Sequence, residues 1–464
     1  MDRLSVLDAE FLHLEDGIAH MHIAAISVFE PPTPTARDVA ALLTAKLHLI
    51  PRYRQRVRPV PFELGRPIWV DDPHFNVDYH VRGTALPHPG GDTALCQLMG
   101  RLMSQPLDRD RPLWETWVVE GLPDDRWALI SKVHHCMVDG ISGIDLLSAL
   151  LDLEPETKLP DAPEWIPVPE PSAPAKVADA WLGLAGDTVA LTRRLPAMVN
   201  DPIAALTSIG TTGQGLVRMR RHLGATPPLS IEGTIGPHRV WAHSSASLDD
   251  VRRIRKEFGG TINDVVLAAV TNGYRELLLS RREDVTDAVV RTLVPVSLRS
   301  ESARGTFDNR VSAIFYELPV GIDDPVERLW AVEHQMNALK ASHMPEAGDF
   351  VATLGNLAPP MMVGALSRMS TRRMHQRPQR AINTVTTNVP GPQFPLYCLG
   401  RRMVECRPHV PISHGVRIGT AILSYDGNLS FGVTGDYDTA PDVGVLADAI
   451  AAGIDDLRER AEVA

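Results

Sequence analysis

Two adjacent histidines at the end of a predicted strand are the residues of this sequence best suited to chemistry. They open the segment His134-His135-Cys136-Met137-Val138-Asp139-Gly140, in which a carboxylate and a glycine follow the imidazoles. A neutral imidazole accepts a proton from an alcohol near pH 7 without large tuning by its surroundings. The Asp-Gly pair predicts a tight turn that holds a charge near the ring and leaves room for a substrate. The segment therefore predicts an enzyme with a histidine base.

Strand geometry decides among the other chemical interpretations of this segment. Successive side chains of a strand point to opposite faces, so His134 and His135 should diverge. This disfavours the alternative in which both imidazoles bind one metal ion together with Asp139. It also disfavours Cys136 as a nucleophile, because neighbours on an extended strand rarely come within hydrogen-bond reach. Asp139 either caps a following helix or pairs with an arginine such as Arg299, and these two uses can overlap.

The elements around the histidine pair predict a strand-turn-helix junction. Residues 113–119 and 127–135 have strand patterns and are separated by a turn at residues 123–125. After Gly140 the apolar residues recur at helical intervals, namely Ile141, Ile144, Leu147 and Leu150.

The remaining pattern is that of a mixed α/β protein in both halves. We expect strands within residues 18–30 and at 238–246, 288–296 and 310–318, and a hairpin of 416–425 with 428–437 over Asp426-Gly427. Helices are expected at residues 38–49 and 325–341, from Ser247 to Phe258, and from Thr261 to Leu277. Ser247 with Asp250 predicts a capping box for the first of the last two helices, and Thr261 with Asp264 predicts another cap for the second. A proline-rich tract at residues 160–174 predicts a semi-rigid connection. The helix expected after it, residues 176–195, places Val177, Trp181, Leu184, Leu191 and Leu195 on one apolar surface, which either packs in a core or lies on lipid.

Composition excludes several classes of protein. The 464 residues exceed one ordinary core, and 44% hydrophobic with 22% charged residues is typical of a globular chain. A net charge of -11 and a pI near 5.9 argue against nucleic acid as the partner. The four cysteines lack paired spacing, which indicates a reducing compartment. The N-terminus lacks the apolar run of a signal peptide, and no segment approaches the ~18 apolar residues of a membrane span. We therefore expect a cytoplasmic protein, soluble or peripherally attached to a membrane.

Several further segments, in order along the chain, resemble one enzyme family. The histidine segment is similar to the HHxxxDG signature shared by chloramphenicol acetyltransferase-like enzymes and condensation domains. The other segments narrow the resemblance to bacterial wax ester synthase/acyl-CoA:diacylglycerol acyltransferases, and in particular to actinobacterial triacylglycerol synthases. They are residues 7–12 (LDAEFL), 112–115 (PLWE), 263–268 (NDVVLA), 295–299 (PVSLR) and 388–392 (NVPGP).

The resemblance implies a fold of two chloramphenicol acetyltransferase-like lobes in one chain with a channel between them. We place the N-terminal lobe at residues 1–158, the linker and crossover helices at 159–227 and the C-terminal lobe at 228–464. His135 is implied as the general base, with His134 and Asp139 beside it and Gly140 and Arg299 in support. Candidates for contacts with substrate or oxyanion are Thr387, Asn388, Asn263 and Trp114. Trp114 can instead be a core aromatic, and Asn263 a helix cap.

The activity implied is transfer of a long-chain acyl group from acyl-CoA to diacylglycerol, with wax ester synthesis from long-chain alcohols as an accompanying activity. The resemblance implies no cofactor and no metal. It does imply contact with the inner membrane leaflet or with lipid droplets. Two alternatives stay open, a condensation-type reaction with an amine or carrier-protein substrate, and a non-catalytic lipid-binding protein of this fold. An apolar stretch could line a lipid passage; it consists of Leu354, Leu357, Met361, Met362, Leu366 and Met369. The basic group that follows it could bind the phosphates of CoA or of lipid headgroups; it consists of Arg372, Arg373, Arg377 and Arg380.

Overall fold

Two six-stranded sheets and the helices packed on them form the part of the chain that the structure describes. The computed structural model describes residues 1–137, 151–156, 163–182, 228–297, 311–341 and 381–463, with isolated positions 364, 369 and 373. The helices are α1 (Val6–Leu14), α2 (Ala36–Lys46), α3 (Val77–His80), α4 (Asp92–Met103), α5 (Leu248–Phe258), α6 (Ile262–Ser280), α7 (Pro325–Ala341) and α8 (Val443–Val463). None of these described helices is both long and apolar enough to cross a bilayer.

The first sheet combines strands from both ends of the chain. Its order is β11-β12-β1-β6-β5-β4. The strands are β1 (His22–Phe29), β4 (Val81–Ala85), β5 (Trp114–Glu120), β6 (Trp127–His134), β11 (Tyr397–Cys398) and β12 (Arg401–His409). Strand β12 runs antiparallel to β1, with Ala24 opposite His409. Although we expected residues 228–464 to form the C-terminal lobe, β11 and β12 belong to the first sheet. The division at residues 159–227 stays a prediction, since most of those residues lie outside the described part.

The second sheet is built wholly from the C-terminal half. Its order is β7-β14-β13-β10-β8-β9, and a separate ribbon pairs β2 with β3. The strands of this second sheet are β7 (Arg239–Ser247), β8 (Val290–Ser297), β9 (Val311–Leu318), β10 (Thr384–Pro390), β13 (Ile418–Tyr425) and β14 (Asn428–Asp436). The separate ribbon comes from the first half of the chain and consists of β2 (Gln55–Arg58) and β3 (Ile68–Asp71). The predicted mixed α/β class is therefore confirmed, as are the strands and helices predicted within the described residues, to within a few residues at their ends.

Local sequence signals explain the ends of several elements. The Thr261 hydroxyl accepts from the Asp264 backbone N–H at 3.2 Å, and the Asp264 carboxylate accepts from the Thr261 backbone N–H at 2.8 Å, which makes the predicted capping box of α6. Ser247 caps α5 by accepting from the backbone N–H groups of Asp249 and Asp250 at 3.2 and 3.4 Å, but the capping box predicted there is not formed, since Asp250 returns no bond to the Ser247 N–H. The hairpin of β13 and β14 turns at Asp426 and Gly427, whose φ angles of 43° and 83° are those of the expected tight turn.

The helix after the proline-rich tract packs on a different face from the one predicted. Residues 173–182 are helical, and Lys176 and Ala180 are buried, whereas Trp181 is 60% exposed and Leu182 73% exposed. Lys176 and Ala180 share one face because they are four residues apart. The Lys176 ammonium tolerates burial because Glu170 accepts its hydrogen bond at 2.5 Å. Core packing of Trp181 was therefore wrong; Leu184, Leu191 and Leu195 lie outside the described residues.

A buried lysine attaches α4 to the first sheet. Lys132 is fully buried, and its Nζ lies 3.2 Å from the Glu115 carboxylate. The same ammonium donates to the carbonyls of Leu102 and Gln105 at 2.9 and 2.5 Å. These carbonyls lie at the C-terminal end of α4, where the helix dipole favours a cation.

We expect Lys132→Met to lower the free energy of unfolding by about 3–5 kcal/mol, because it leaves the buried Glu115 carboxylate without its closest cation. Chemical denaturation measures this loss. The double variant Lys132→Met with Glu115→Leu should recover most of it, since no buried charge then lacks a partner. Lys256→Met at an exposed position is the control, expected to change stability by less than about 0.5 kcal/mol. A loss in Lys132→Met no larger than in this control would contradict the assignment.

Candidate functional site

The imidazole pair lies where β6 ends and a turn begins. His134 is the last residue of β6, and His135 opens the short 3₁₀ turn His135–Met137. The His134 backbone N–H donates to the Leu113 carbonyl at 2.9 Å, and the His135 N–H donates to the Met21 carbonyl at 2.8 Å. Two neighbouring segments thus hold the pair from either side. The predicted strand end is confirmed, while Asp139, Gly140 and the predicted helix after them lie outside the described residues.

The two rings diverge, as the strand alternation predicts. His134 is fully buried and faces Glu15, with Nε2 3.3 Å from a carboxylate oxygen. His135 is half-buried and stacks on Phe11, with ring centroids 3.8 Å apart and planes 25° apart. Of the two rings, only that of His135 belongs to a residue that is partly exposed.

His134 stabilises the turn that carries His135. Its Nδ1 accepts a hydrogen bond from the Cys136 backbone N–H at 3.1 Å. In the neutral ring the proton then belongs on Nε2, which is the nitrogen that faces Glu15. His134 therefore links the turn that carries His135 to a buried carboxylate.

Glu15 is the centre of a buried charge cluster that the sequence patterns did not reveal. It follows α1 as its C-cap, and one oxygen lies 3.2 Å from His22 Nε2 and 3.8 Å from His20 Nδ1. The other oxygen accepts from Arg109 at 2.5 Å. Burial by itself raises the pKa of Glu15, but the contacts with His134 and His22 outweigh burial and hold this pKa far below its usual range. The cluster therefore contains a carboxylate that is ionised at neutral pH.

We expect Glu15→Gln to lower the free energy of unfolding by about 1.5–3 kcal/mol, because hydrogen bonds to a charged group are stronger than those to an amide. Turnover should also fall, since His134 loses its anionic anchor. Thermal or chemical denaturation and a steady-state assay measure the two effects, and Glu257→Gln on the exposed face of α5 is the matched control. A variant indistinguishable from this control would show that the cluster does not hold the imidazole pair.

The surroundings of His135 keep its ring neutral at pH 7. Burial lowers its pKa to about 4, a contact with its own backbone raises the pKa slightly, and nearby His134 lowers it. Nδ1 is the buried nitrogen, and no other described residue forms a hydrogen bond with it. The residue as a whole is half-buried. A neutral ring with an accessible nitrogen can accept a proton.

Cys136 does not have the properties of a nucleophile. Its side chain is fully buried, and burial raises the pKa of its thiol well above the usual value, with Asp8 and Glu15 adding to the increase. The prediction that Cys136 is a small buried residue is confirmed. Among the described residues, no group of three or more His, Cys, Asp or Glu side chains is placed to hold a metal ion.

In the second sheet, two of the predicted substrate residues come together. Asn388 of β10 donates through Nδ2 to Oδ1 of Asn263, the second residue of α6, at 3.1 Å. Thr387 is its neighbour on β10 and pairs with Ala421 of β13. Both asparagines are half-buried. Two segments far apart in sequence therefore present a pair of side-chain amides at the start of a long helix.

Trp114 lies in the apolar core on one face of the first sheet, which we call the first core. It is 1% exposed, and its indole N–H donates to the Tyr53 carbonyl at 2.8 Å. Its ring stacks on His80, with centroids 4.5 Å apart. The indole N–H is already used, so the prediction of a substrate or oxyanion contact for Trp114 was wrong and the core interpretation is confirmed. Its strand positions β6, since Trp114 pairs with Val133.

Most of the other predicted site residues lie outside the part of the chain that the structure describes. Arg299 lies outside the described residues, as does most of the apolar stretch and of the basic group after it (Leu354, Leu357, Met361, Met362, Leu366; Arg372, Arg377, Arg380). Met369 and Arg373 are described and both are exposed. The roles proposed for the stretch and for the basic group therefore stay predictions.

Comparison with known proteins identifies the family. The wax ester synthase/diacylglycerol acyltransferase catalytic domain matches residues 4–266, and the C-terminal domain of the same family matches residues 307–458. The chain belongs to the wax ester synthase/diacylglycerol acyltransferase family. The predicted resemblance and the predicted acyltransferase class are both confirmed.

Relatives within this family cover nearly the whole chain. The probable diacylglycerol O-acyltransferase tgs1 of Mycobacterium tuberculosis is 39% identical, over 97% of this chain and 94% of its own length. A wax ester synthase/diacylglycerol acyltransferase from Marinobacter aquaeolei VT8 superposes with a TM-score of 0.71 at 25% identity, covering all of both chains. The first condensation domain of the calcium-dependent antibiotic synthetase has a TM-score of 0.57 at 14% identity over 99% of this chain and 96% of its own, which shows the fold alone. The predicted two-lobed, chloramphenicol acetyltransferase-like fold is thereby confirmed.

Proposed function

We propose that this protein transfers a long-chain acyl group from acyl-CoA to the free hydroxyl of diacylglycerol, forming triacylglycerol, and that it also accepts long-chain alcohols. The half-buried ring of His135 at the end of β6 carries the proposal, because a ring whose pKa is lowered to about 4 is neutral at pH 7 and supports the role of a proton acceptor. The name of the M. tuberculosis relative supports diacylglycerol as acceptor, and that of the Marinobacter enzyme supports alcohols.

His135 acts as the general base in this mechanism. Its Nε2 takes the hydroxyl proton of the acceptor while that oxygen attacks the thioester carbonyl carbon. The new C–O bond forms a tetrahedral intermediate, and its collapse breaks the C–S bond. The imidazolium then returns the proton to the departing CoA thiolate, so no acyl-enzyme forms. A base of this kind contributes about 10²–10⁴-fold to the rate.

The side-chain amides of the second sheet are the proposed donors to the oxyanion. Asn388 already uses one amide N–H on Asn263 Oδ1. The pair therefore favours Asn263 Nδ2 as the group that meets the developing charge, with Thr387 as its alternative. A donor of this kind stabilises a transition state by roughly 2.7–4 kcal/mol. In this proposal Asp139 and Gly140 shape the turn after His135, and Arg299 pairs with Asp139.

The proposed partners of this protein are its lipid substrates, and its proposed location is a membrane or lipid-droplet surface that holds them. Acyl-CoA is the only activated reagent required, so no cofactor enters the reaction. The exposed Trp181 and Leu182 support contact with the inner membrane leaflet or lipid droplets in the cytoplasm, because exposed apolar side chains of this size favour an interface.

Product analysis tests this function. Purified protein receives a labelled palmitoyl-CoA together with dioleoylglycerol, hexadecanol or a long-chain amine, and the products are separated by thin-layer chromatography. Labelled triacylglycerol with a smaller yield of wax ester is the expected result. A labelled amide as the main product would favour the condensation-type alternative. Binding of acyl-CoA without release of free CoA for any acceptor would favour the non-catalytic alternative.

A further inference from the structure

The only ring stacked on His135 within the described residues belongs to Phe11 of α1. Its position is well determined by the helix. Ser5 caps α1 by accepting from the Asp8 backbone N–H at 3.1 Å, and Ala9 and Leu12 of the same helix are buried in the first core. A side chain on such a helix is held more precisely than one on a loop.

A second contact also holds Phe11. The ring packs against an apolar cluster that joins both halves of the chain, with Ala19 and Met21 from the first and Ile235 and Ile412 from the second. Met21 is also the residue whose carbonyl receives the His135 backbone N–H. Phe11 thus contacts both this cluster and the imidazole.

The imidazole needs such a restraint. The torsion that sets the plane of a histidine ring is broad and roughly two-fold, so rotamer preference alone does not orient Nε2. A carboxylate at Nδ1 often supplies the orientation, but among the described residues none is hydrogen-bonded to Nδ1 of His135. Among the described residues, the charged groups that shift the pKa of the adjoining Cys136 thiol are Asp8, Glu15 and Arg109, and the neighbouring side chain that shifts the pKa of His135 is His134.

The π-face of Phe11 also distinguishes the two charge states of His135. A neutral imidazole gains little from the negative face of the phenyl ring, whereas an imidazolium gains a cation–π attraction. His135 becomes an imidazolium only after it takes the proton of the acceptor, so this attraction develops during the reaction and acts on the transition state.

We propose that Phe11 is a positioning residue that orients the ring of His135 and stabilises its transient imidazolium through the face-to-face contact. This rests on the proposed function, in which His135 is the base. It assigns a role in the reaction to the helix that precedes the first sheet.

A fluorinated series tests the electrostatic part of this proposal. Phe11 is replaced by 4-fluoro-, 3,5-difluoro- and 3,4,5-trifluorophenylalanine, which weaken the π-face stepwise and barely change the volume. We expect kcat to fall at each step, by about 2- to 30-fold in total, with KM for acyl-CoA unchanged. Phe11→Leu should resemble the end of the series, and Phe11→Tyr should keep most of the activity. The same fluorination of Phe29, which stacks on Trp127 in the core, is the matched control.

A second readout separates this proposal from the function on which it rests. The pKa of His135, followed by NMR of labelled histidine, should fall along the fluorinated series because the charged form loses its partner. It should rise in Phe11→Ala, because water then reaches the ring. An unchanged kcat and an unchanged pKa along the series would overturn the role of Phe11 while leaving acyl transfer intact. A wild-type protein that acylates no hydroxyl would refute the function, yet the NMR titration would still report on the contact.

Discussion

Replacing His135 with alanine is expected to lower kcat for triacylglycerol formation by about 10²–10⁴-fold. The half-buried ring at the end of β6 is the group proposed to take the acceptor proton. His134, next in sequence, has its Nε2 directed at Glu15 and its Nδ1 occupied by the Cys136 N–H. A continuous assay of free CoA released from acyl-CoA in the presence of diacylglycerol measures the loss.

Two controls make the result specific to proton transfer. Acyl-CoA binding, measured by calorimetry, should change little in His135→Ala, because the base acts on the acceptor and not on the CoA. His74→Ala, at an exposed histidine of the first half, should leave both binding and turnover unchanged. Ester formation at the wild-type rate in His135→Ala would remove the imidazole from the mechanism.

Acid should destabilise this protein steeply below about pH 6.5. Burial lowers the pKa of His22 and His409 to about 3, and that of His80 and His135 to about 4. In the unfolded chain such rings protonate near pH 6.5. At a pH between the folded and the unfolded pKa of a ring, the unfolded state binds a proton that the folded state does not bind. The free energy of unfolding therefore falls as the pH falls. Each ring contributes about 1.4 kcal/mol per pH unit, and the four together several times that.

Glu15 acts in the same direction at lower pH. Its folded pKa lies far below its usual value, so the stability that its carboxylate supplies is present above about pH 4.5 and is lost as the pH falls further. The histidines therefore dominate between pH 6.5 and 4.5, and the carboxylate adds to the loss below that.

Urea denaturation at a series of pH values from 8 to 5 measures the effect. His409→Leu should make the dependence shallower by about 1.4 kcal/mol per pH unit, since one ring no longer titrates. His409 suits this test because both of its ring nitrogens are buried without a hydrogen-bond partner among the described residues. His74→Leu, at an exposed ring, should leave the slope unchanged. Equal slopes in wild type and His409→Leu would show that this ring titrates normally in the folded protein.

The parts of the site that are local in sequence could be predicted. The divergence of His134 and His135 follows from strand alternation, which is a property of neighbouring residues. The cap of α6 by Thr261 and Asp264 and the turn at Asp426-Gly427 depend on residues close together in the chain, and both were predicted. Where a few adjacent side chains decide the geometry, the sequence is sufficient.

The contacts that orient the imidazoles could not be predicted, because they join distant segments. Glu15 reaches His134 across more than a hundred residues, and no motif marks it as the partner. The stack of Phe11 on His135 likewise joins two segments that are far apart in the sequence. Trp114 was placed among the substrate contacts because sequence alone does not show that its indole N–H meets the Tyr53 carbonyl. Core packing of Trp181, one of the two surroundings predicted for it, was wrong because helical periodicity gives several faces and tertiary packing selects one.

The pairing of β1 with β12 has a consequence for synthesis on the ribosome. Ser27 and Cys406 are partners across this ladder and lie 379 positions apart in the chain. While the first sheet is assembling, β1 exposes an unpaired edge until nearly the whole polypeptide has left the exit tunnel, and such an edge invites aggregation. The two halves therefore cannot mature one after the other, and nascent chains should depend on a chaperone that shields this edge until the last strands arrive.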